Sequence, residues 1–342
     1  MSTYILAIES SCDDTSAAIL QDNTVLSNVI NNQSVHAQYG GVVPELASRA
    51  HQQNIIPVVH AALTQANIKK EQLSAMAFTR GPGLLGSLLV GVSFAKSFAY
   101  ALNIPLIEVD HLQAHILSHF IDRGLPFPNF PFLCLCVSGG HTQIVKVNDY
   151  FDMQLIGNTI DDAAGEAFDK AAKILDLPYP GGPVVDKLAK EGNADAFSFS
   201  QAHIAGYDYS FSGLKTSFLY FLRDRLKENP NFIVENKNDL CASIQKSIVG
   251  SLMTKLIKAS NDLGIKEIAI AGGVSANSQL QRTLNELAAK HDWTIYIPSL
   301  QLSTDNAAMI GIVGYLKYIN QQFSDISVVP YTTSRYHSLK NE

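Results

Sequence analysis

The sequence predicts an α/β protein made of two lobes that share one order of elements. Short apolar strands alternate with segments of helical period along the chain. The length of 342 residues exceeds the size at which a single hydrophobic core usually stops growing. Each half also begins with a buried strand, a polar turn and a second, antiparallel strand. We therefore expect a duplicated domain with a cleft between its two copies.

The first lobe is predicted to span residues 1–125. Its strands are expected at 4–9, 17–20, 25–30, 74–79 and 105–109. The first strand enters the polar turn of "ESSCDDTSAAIL", and the fourth runs into "RGPGLLGSLLVG" (80–91), which opens a helix. Backbone N–H groups at such a glycine-bearing helix start can face an anion. The amphipathic run "VPELASRAHQQNIIPVVHAALTQA" favours core packing over an interface.

The second lobe is predicted to span residues 126–342. Three prolines and a glycine in "FIDRGLPFPNFPF" break every regular pattern and mark the boundary. Strands are expected at 131–137, 142–147, 151–157, 267–272 and 293–298, with a helical insert at about 159–265. The final helix, at about 304–325, begins at "TDNAAMIG" with a Thr or Asp cap and is a candidate to pack back on the first lobe.

Composition limits the classes of function. Hydrophobic residues make up 46% and charged residues 16%, which is typical of a soluble globular protein. The sequence shows no uninterrupted apolar run of the roughly 18 to 20 residues that cross a bilayer, and its first residues lack the features of a signal peptide. Four cysteines without a CxxC pair indicate neither a disulfide scaffold nor a zinc ribbon. These features predict a cytoplasmic protein.

The net charge of -6, with neither half basic, argues against a protein that coats nucleic acid by bulk attraction. A nucleic-acid substrate would need a local basic patch or a partner protein.

Two further glycine turns follow predicted strands. The turn "SGGHT" (138–142) can wrap phosphates as a nest of N–H groups, and "AGGVSANSQL" (271–280) opens a helix with Asn277 in its first turn. Neither matches the P-loop or the dinucleotide fingerprint. A nucleotide site and plain tight turns that require glycine both remain open interpretations.

Two groups of carboxylates accompany these turns. Asp13 and Asp14 lie in "CDDT", beside the place where phosphates or a metal would bind. Asp162, Glu166 and Asp169 are spaced along one predicted helix so that they share a face. A solvated acidic face is the alternative, although the neighbouring alanines leave room for a ligand or another helix.

The histidines of "HLQAH" are more specific. His111 and His115 stand four positions apart on a predicted helix, so both rings can point at one ion. Leu112 occupies the position where a zincin protease of the HExxH type has its glutamate, which argues against that class. Asp305, at the start of the last helix, is the best-placed third ligand. The alternative is a pair of surface or capping histidines. His119 extends the same stripe and is expected to be an outer or solvent histidine.

Together the motifs resemble those of one family. They are "IESSCDDT", "HAQYGGVVPELASRAH", "GPGLLGSLLVG", "VDHLQAHILS", "VSGGHTQIV", "IDDAAGEAFDKAAKILDLPYPGGP", "FSFSGLKT", "AGGVSANSQL" and "STDNAAMIG". In this order, over about residues 4–330, the chain resembles the TsaD family, also called Gcp or YgjD, which is related to the KEOPS catalytic subunit.

This resemblance implies two duplicated actin-like, sugar-kinase-like domains (ASKHA, RNase H-like). The implied reaction transfers threonylcarbamoyl from threonylcarbamoyl-AMP to the N6 amine of the adenosine 3′ to the anticodon in tRNAs that read ANN codons. His111, His115 and Asp305 would bind one divalent metal ion, Fe²⁺ by preference and Zn²⁺ as the alternative. The implied site for the adenylate, or for ATP or AMP, comprises Cys136, Val137, Ser138, Gly139, Gly140, Asp169, Gly182, Asp186 and Asn277.

Asp13 is the candidate general base. Asp14, also assigned to the catalytic site, stands where many family members have Glu. The implied partners are tRNA, a TsaB-like paralogue, a TsaE-like ATPase and the threonylcarbamoyl-AMP synthase, with no membrane. Two other functions stay open on the residues alone. One is an ATP-dependent small-molecule kinase, which would hold Mg²⁺ with oxygen ligands. The other is a nucleotide-binding scaffold without chemistry.

Overall fold

Strands and helices alternate as the sequence predicts in a computed structural model that describes residues 2–199 and 204–333. The strands are β1 (Tyr4–Glu9), β2 (Asp14–Gln21), β3 (Thr24–Asn32), β4 (Ala75–Gly81), β5 (Leu106–Asp110), β6 (Phe132–Val137), β7 (Thr142–Asp149), β8 (Asp152–Asn158), β9 (Glu267–Ala271) and β10 (Thr294–Tyr296). The helices are α1 (Pro44–Ala66), α2 (Leu85–Leu102), α3 (His111–Leu117), α4 (Ala164–Ile174), α5 (Gly181–Ala189), α6 (Ser212–Glu228), α7 (Phe232–Glu235), α8 (Lys237–Leu263), α9 (Ser278–His291), α10 (Leu300–Ser303) and α11 (Ala307–Ile319).

The chain divides into two compact units. Of the described residues, unit 1 contains 2–127 and 298–333, and unit 2 contains those between Pro128 and Ile297. The sheet of unit 1 has the order β3-β2-β1-β4-β5, and the sheet of unit 2 has the order β8-β7-β6-β9-β10. In both sheets the first strand is antiparallel to the second and parallel to the fourth. The predicted duplicated α/β fold is therefore confirmed.

The central strands of both sheets are apolar because both of their faces are covered. All six side chains of β6 are buried, including Cys134 and Cys136, which pack as small hydrophobic groups. The second strand extends further than predicted, since Asp14 and Thr15 pair with Asn32 and Asn31 of β3. The polar turn between β1 and β2 is correspondingly short, and this turn later proves to border the candidate metal site.

Helix α2 is the one helix of the described residues that is long and apolar enough, by length and composition, to cross a membrane. A single such helix is weak evidence for a membrane span, because the core helix of a water-soluble protein passes the same test. In unit 1, α2 packs against α1 and β4, with Leu88, Val92 and Ala95 buried.

Helix α11 packs on the unit 1 sheet through β1, β2 and β4. Its N-cap is Asn306, whose side chain accepts a hydrogen bond from Met309 N at 3.0 Å. The expectation of a Thr or Asp cap is therefore wrong. Because Asn306 caps the helix, the carboxylate of Asp305 is available for other contacts.

Candidate functional site

The two histidines are positioned by the junction between β5 and α3. Asp110 ends the strand, and its Oδ1 accepts hydrogen bonds from Leu112 N at 2.9 Å and Gln113 N at 3.0 Å. This cap starts the helix at His111, so His111 and His115 stand one turn apart on the same face. Their ring centroids are 4.7 Å apart, with the ring planes perpendicular.

Asp305 joins the histidines from the start of α11. Its Oδ1 lies 3.1 Å from His115 Nε2 and 3.4 Å from His111 Nε2. One potential ligand atom from each of these residues lies within 4.8 Å of the others. Ligand atoms bound at the usual 2.0 to 2.1 Å to a tetrahedral ion are separated by about 3.3 Å. Two nitrogens and one carboxylate oxygen at this spacing can therefore hold a divalent metal ion.

Behind His111 lies a residue that the sequence reasoning missed. Glu9, fully buried at the end of β1, places Oε2 at 3.1 Å from His111 Nδ1. The same carboxylate accepts hydrogen bonds from Thr79 Oγ1 and from Ser11 N, each at 2.5 Å. Metal-bound histidines commonly donate their second ring N–H to a carboxylate in this way. An acidic residue inside the otherwise apolar "YILAIE" was the available signal.

The carboxylates of Asp305 and Glu9 favour a positive charge within this cluster. Burial alone would lower the pKa of His111, but the charges of Asp305 and Glu9 outweigh it and raise this pKa well above the ordinary value. Burial would raise the pKa of Asp305, but the charge of His111 and hydrogen bonds from both histidines lower it well below the ordinary value. A bound cation would balance the negative charges of the same two carboxylates, Asp305 and Glu9.

The predicted carboxylates Asp13 and Asp14 lie where β1 turns into β2. Asn32 Nδ2 donates a hydrogen bond to Asp14 Oδ1 at 2.6 Å. Burial, reinforced by Asp305, Asp13 and Glu9, raises the pKa of Asp14 to about 7, although the bond from Asn32 opposes the shift. The charge of the candidate ligand Asp305 thus acts on Asp14. His119, by contrast, is buried after α3 and is not a solvent residue.

His51 of α1 ties this turn to the helix. Its Nδ1 lies 2.7 Å from Thr15 Oγ1 and its Nε2 lies 2.9 Å from Cys12 O. Burial lowers the pKa of His51, so the folded protein favours the neutral ring. His51 thereby contacts the polar turn between β1 and β2 at Cys12 and the start of β2 at Thr15.

The lowered pKa of His51 predicts a pH dependence of stability. Above the ordinary pKa of about 6.5 both states are neutral, whereas below it the unfolded chain takes up a proton that the folded chain resists. We expect the free energy of unfolding to fall more steeply from about pH 7 to about pH 5.5 in the wild type than in His51→Gln. Urea unfolding measures this slope, and His60→Gln, at an exposed histidine of α1, is the control. Equal slopes for wild type and His51→Gln would contradict the prediction.

In unit 2 the two glycine turns lie together at the carboxyl ends of β6 and β9. Ser138 N donates to His141 O at 2.8 Å, and Gly165 N at the start of α4 donates to Ser138 O at 3.2 Å. A side chain at Gly139 or Gly140 would meet only open space. Gly272 follows β9 with φ at +84°, and a Cβ there would lie 2.5 Å from Val137 O. Open α/β sheets bind ligands at this end of their strands.

The remaining predicted adenylate residues surround these turns. Asp169 Oδ1 accepts a hydrogen bond from Gly181 N at 2.7 Å, beside Gly182 at the start of α5. Asp186 Oδ1 accepts hydrogen bonds from Ser278 N at 3.2 Å and Ser278 Oγ at 2.8 Å. These bonds connect α4, α5 and α9. We call the two glycine turns and the side chains that these bonds hold the glycine-turn rim.

Other predictions for this rim need correction. Asn277 is the N-cap of α9 rather than part of its first turn. The side chains of Cys136 and Val137 are fully buried in β6, which leaves only their backbone for a ligand.

The prediction that Asp162, Glu166 and Asp169 share one face of a helix is also wrong. Asp162 precedes α4, which begins at Ala164. Lys170 Nζ lies 2.6 Å from Asp162 Oδ1 and 2.8 Å from Glu166 Oε1. Asp169 instead accepts its hydrogen bond from Gly181 N of α5. Only Asp169 of the three therefore belongs to the glycine-turn rim.

Comparison with known proteins shows the family of the chain. The family described as TsaD, tRNA N6-adenosine threonylcarbamoyltransferase, matches residues 24–312. The chain belongs to this family. A Phocaeicola vulgatus TsaD-family protein named tRNA N6-adenosine threonylcarbamoyltransferase is 62% identical over 335 residues, covering 97% of this chain and 99% of that protein. A Riemerella anatipestifer protein of the same name is also 62% identical, covering 98% of each chain.

A solved structure supports the fold. HypF from T. kodakarensis matches with a TM-score of 0.62 at 13% identity, covering 96% of this chain and 49% of that chain. This likeness agrees with the duplicated α/β fold and concerns the fold alone. Membership of the TsaD family makes the chain a transferase of tRNA modification.

Proposed function

We propose that this TsaD-family chain transfers threonylcarbamoyl from threonylcarbamoyl-AMP to the N6 amine of the adenosine 3′ to the anticodon in tRNAs that read ANN codons. The observation that carries the proposal is the convergence of His111, His115 and Asp305, with Glu9 behind His111. Incubating the purified chain with its partners, unmodified tRNA and labelled threonylcarbamoyl-AMP tests the reaction. Label in tRNA supports it, whereas phosphorylation of sugars by labelled ATP, without label in tRNA, would favour the kinase alternative.

His111, His115 and Asp305 would hold the divalent metal ion, with Fe²⁺ favoured over Zn²⁺. Two imidazoles with one carboxylate suit these ions better than Mg²⁺, which takes oxygen ligands. When bound, the ion supplies a Lewis acid that polarises the carbamoyl group of the donor. Glu9 fixes the ring of His111 through Nδ1 and so leaves Nε2 for the ion.

The glycine-turn rim would hold the adenylate. Backbone N–H groups of Gly139 and Gly140 would donate to its phosphate, since the glycines leave the backbone accessible. Asp169, Gly182, Asp186 and Asn277 would position the nucleoside, with Cys136 and Val137 contributing backbone only. AMP would stay bound to this rim as the leaving group. ATP and AMP would occupy the same place.

Asp13 would accept the proton of the attacking amine. An aromatic amine is a poor nucleophile, so its orientation and late deprotonation matter most. Asp13 stands beside Asp14, whose Oδ1 accepts a hydrogen bond from Asn32 Nδ2. The reaction then forms an N6–C bond, breaks the carbamoyl–phosphate bond and transfers one proton to Asp13.

A bulky side chain at Gly140 tests the adenylate rim. Because a Cβ at this position meets nothing within 4 Å, Gly140→Val should fold normally but occupy the space of the phosphate. We expect the Kd for AMP, measured by calorimetry, to rise about tenfold or more, the effect of losing a hydrogen bond to a charged group. Gly250→Val is the control, since Gly250 also faces open space, on α8. An unchanged Kd in Gly140→Val would contradict the assignment.

The chain would work in the cytoplasm with partner proteins. Its net charge of -6 implies weak binding to a tRNA backbone at physiological salt. We therefore propose a TsaB-like paralogue and a TsaE-like ATPase as partners, with the threonylcarbamoyl-AMP synthase as the donor source and no membrane. Exposed apolar side chains on α1 and α2, namely Ile56, Leu85 and Leu89, support a partner surface on these helices.

A further inference from the structure

The segment that follows α11 runs back along the edge of the unit 1 sheet. We call residues 320–331 the C-terminal strap. Ser324 N donates a hydrogen bond to Leu106 O at 2.8 Å, and Ser324 Oγ accepts one from Glu108 N at 2.8 Å. Arg80 Nε donates to Val329 O at 2.8 Å. The strap is thus fastened to both β5 and β4.

The end of the C-terminal strap packs against the residues at the end of β4. Tyr331 N donates to Arg80 O at 3.2 Å, and the Arg80 guanidinium lies 5.6 Å from the centre of the Tyr331 ring. Gly81 has φ at +153°, and a Cβ there would lie 2.1 Å from Tyr331 O. Glycine at position 81 therefore leaves the room that Tyr331 occupies.

From this place Tyr331 reaches the start of the histidine helix. Its hydroxyl donates to Asp110 Oδ2 at 2.6 Å, while Asp110 Oδ1 caps α3. Asp110 immediately precedes His111. The stretch from Asp305 to Tyr331 therefore supplies a ligand at one end and holds the cap of the histidine helix at the other.

We infer that Tyr331 is a positioning residue for the metal centre, an inference that rests on the proposed function. Its hydroxyl keeps Asp110 in the orientation that starts α3 at His111, and so keeps both histidines turned toward Asp305. Docking of the strap and binding of the metal then favour each other, because each prefers the same arrangement of α3.

Tyr331→Phe tests this inference. The variant keeps the ring beside Arg80 and loses only the hydroxyl. We expect the Kd for Zn²⁺, measured by competition with a chelator, to rise roughly threefold to tenfold, the effect of one hydrogen bond. The melting temperature of the metal-free protein should fall by no more than about 2 to 4 °C, the usual effect of losing one hydrogen bond, and excess metal should restore transfer activity. Tyr100→Phe is the control, because Tyr100 is 79% exposed on α2.

The outcomes separate this inference from the proposed function. A Kd in Tyr331→Phe equal to the wild-type value overturns the positioning role and leaves the metal centre standing. A lower melting temperature of the metal-free variant together with an unchanged Kd also overturns it, since that shows a structural role alone. A wild-type protein that binds no Zn²⁺ or Fe²⁺ overturns the metal centre itself.

Discussion

Replacing Asp305 by alanine is expected to lower metal affinity and threonylcarbamoyl transfer by about 100-fold or more. Changes to outer partners of metal ligands alone reduce affinity or activity by about 10- to 100-fold, and Asp305 would be a direct ligand. The fold should survive, because Asn306 and not Asp305 caps α11. Metal content per chain after dialysis against a weak chelator, together with the transfer assay, measures both effects.

The neighbouring Thr304 offers a matched control for Asp305→Ala. Thr304 is exposed in the same segment, so Thr304→Ala should keep the wild-type metal content and rate. His115→Ala should behave like Asp305→Ala, since its Nε2 lies 3.1 Å from the same carboxylate oxygen. Near-normal transfer by a protein carrying both His111→Ala and Asp305→Ala would show that the cluster plays no part in the reaction.

The sequence predicts most of the fold because strand order and apolar patterning are local properties. The strands of both sheets were predicted within a few residues of their observed bounds, and the repeated strand-turn-strand start indicated the duplication. The pair His111 and His115 was also predictable, since four positions on a helix bring two rings to one face. Asp305 could be proposed from its position before a helix, but its contact with the histidines depends on how α11 packs on the sheet.

The rest of the site depends on contacts between distant positions. Glu9 meets His111 across 102 positions of sequence, and a single acidic residue in a strand does not indicate its partner. Helical spacing does not apply to the whole acidic run from Asp162 to Asp169, because helix α4 begins only at Ala164. The N-cap of α11 was misplaced for a related reason, since Thr304, Asp305 and Asn306 are all acceptable caps by residue type.

The largest effect on stability is expected from Gly272→Ala. Gly272 has φ at +84° and ψ at 166°, a backbone region that is essentially restricted to glycine. An added Cβ would also lie 2.5 Å from Val137 O, so β6 and the turn after β9 would have to separate. We expect the free energy of unfolding to fall by about 3 kcal/mol or more, combining backbone strain with the close contact. Urea or thermal unfolding measures the loss.

Adjacent Gly273 provides the control. It distinguishes the backbone strain and close contact at Gly272 from a loss of stability caused by any substitution in this turn. A Cβ at Gly273 meets nothing within 4 Å, so Gly273→Ala should unfold close to the wild-type midpoint. If Gly272→Ala were as stable as Gly273→Ala, the close approach between the two glycine turns would be wrong. The backbone of β6 beside Gly272 leads directly into Ser138. We therefore also expect Gly272→Ala to weaken AMP binding under conditions where the variant is still folded. A turn with only a structural role would leave AMP binding unchanged.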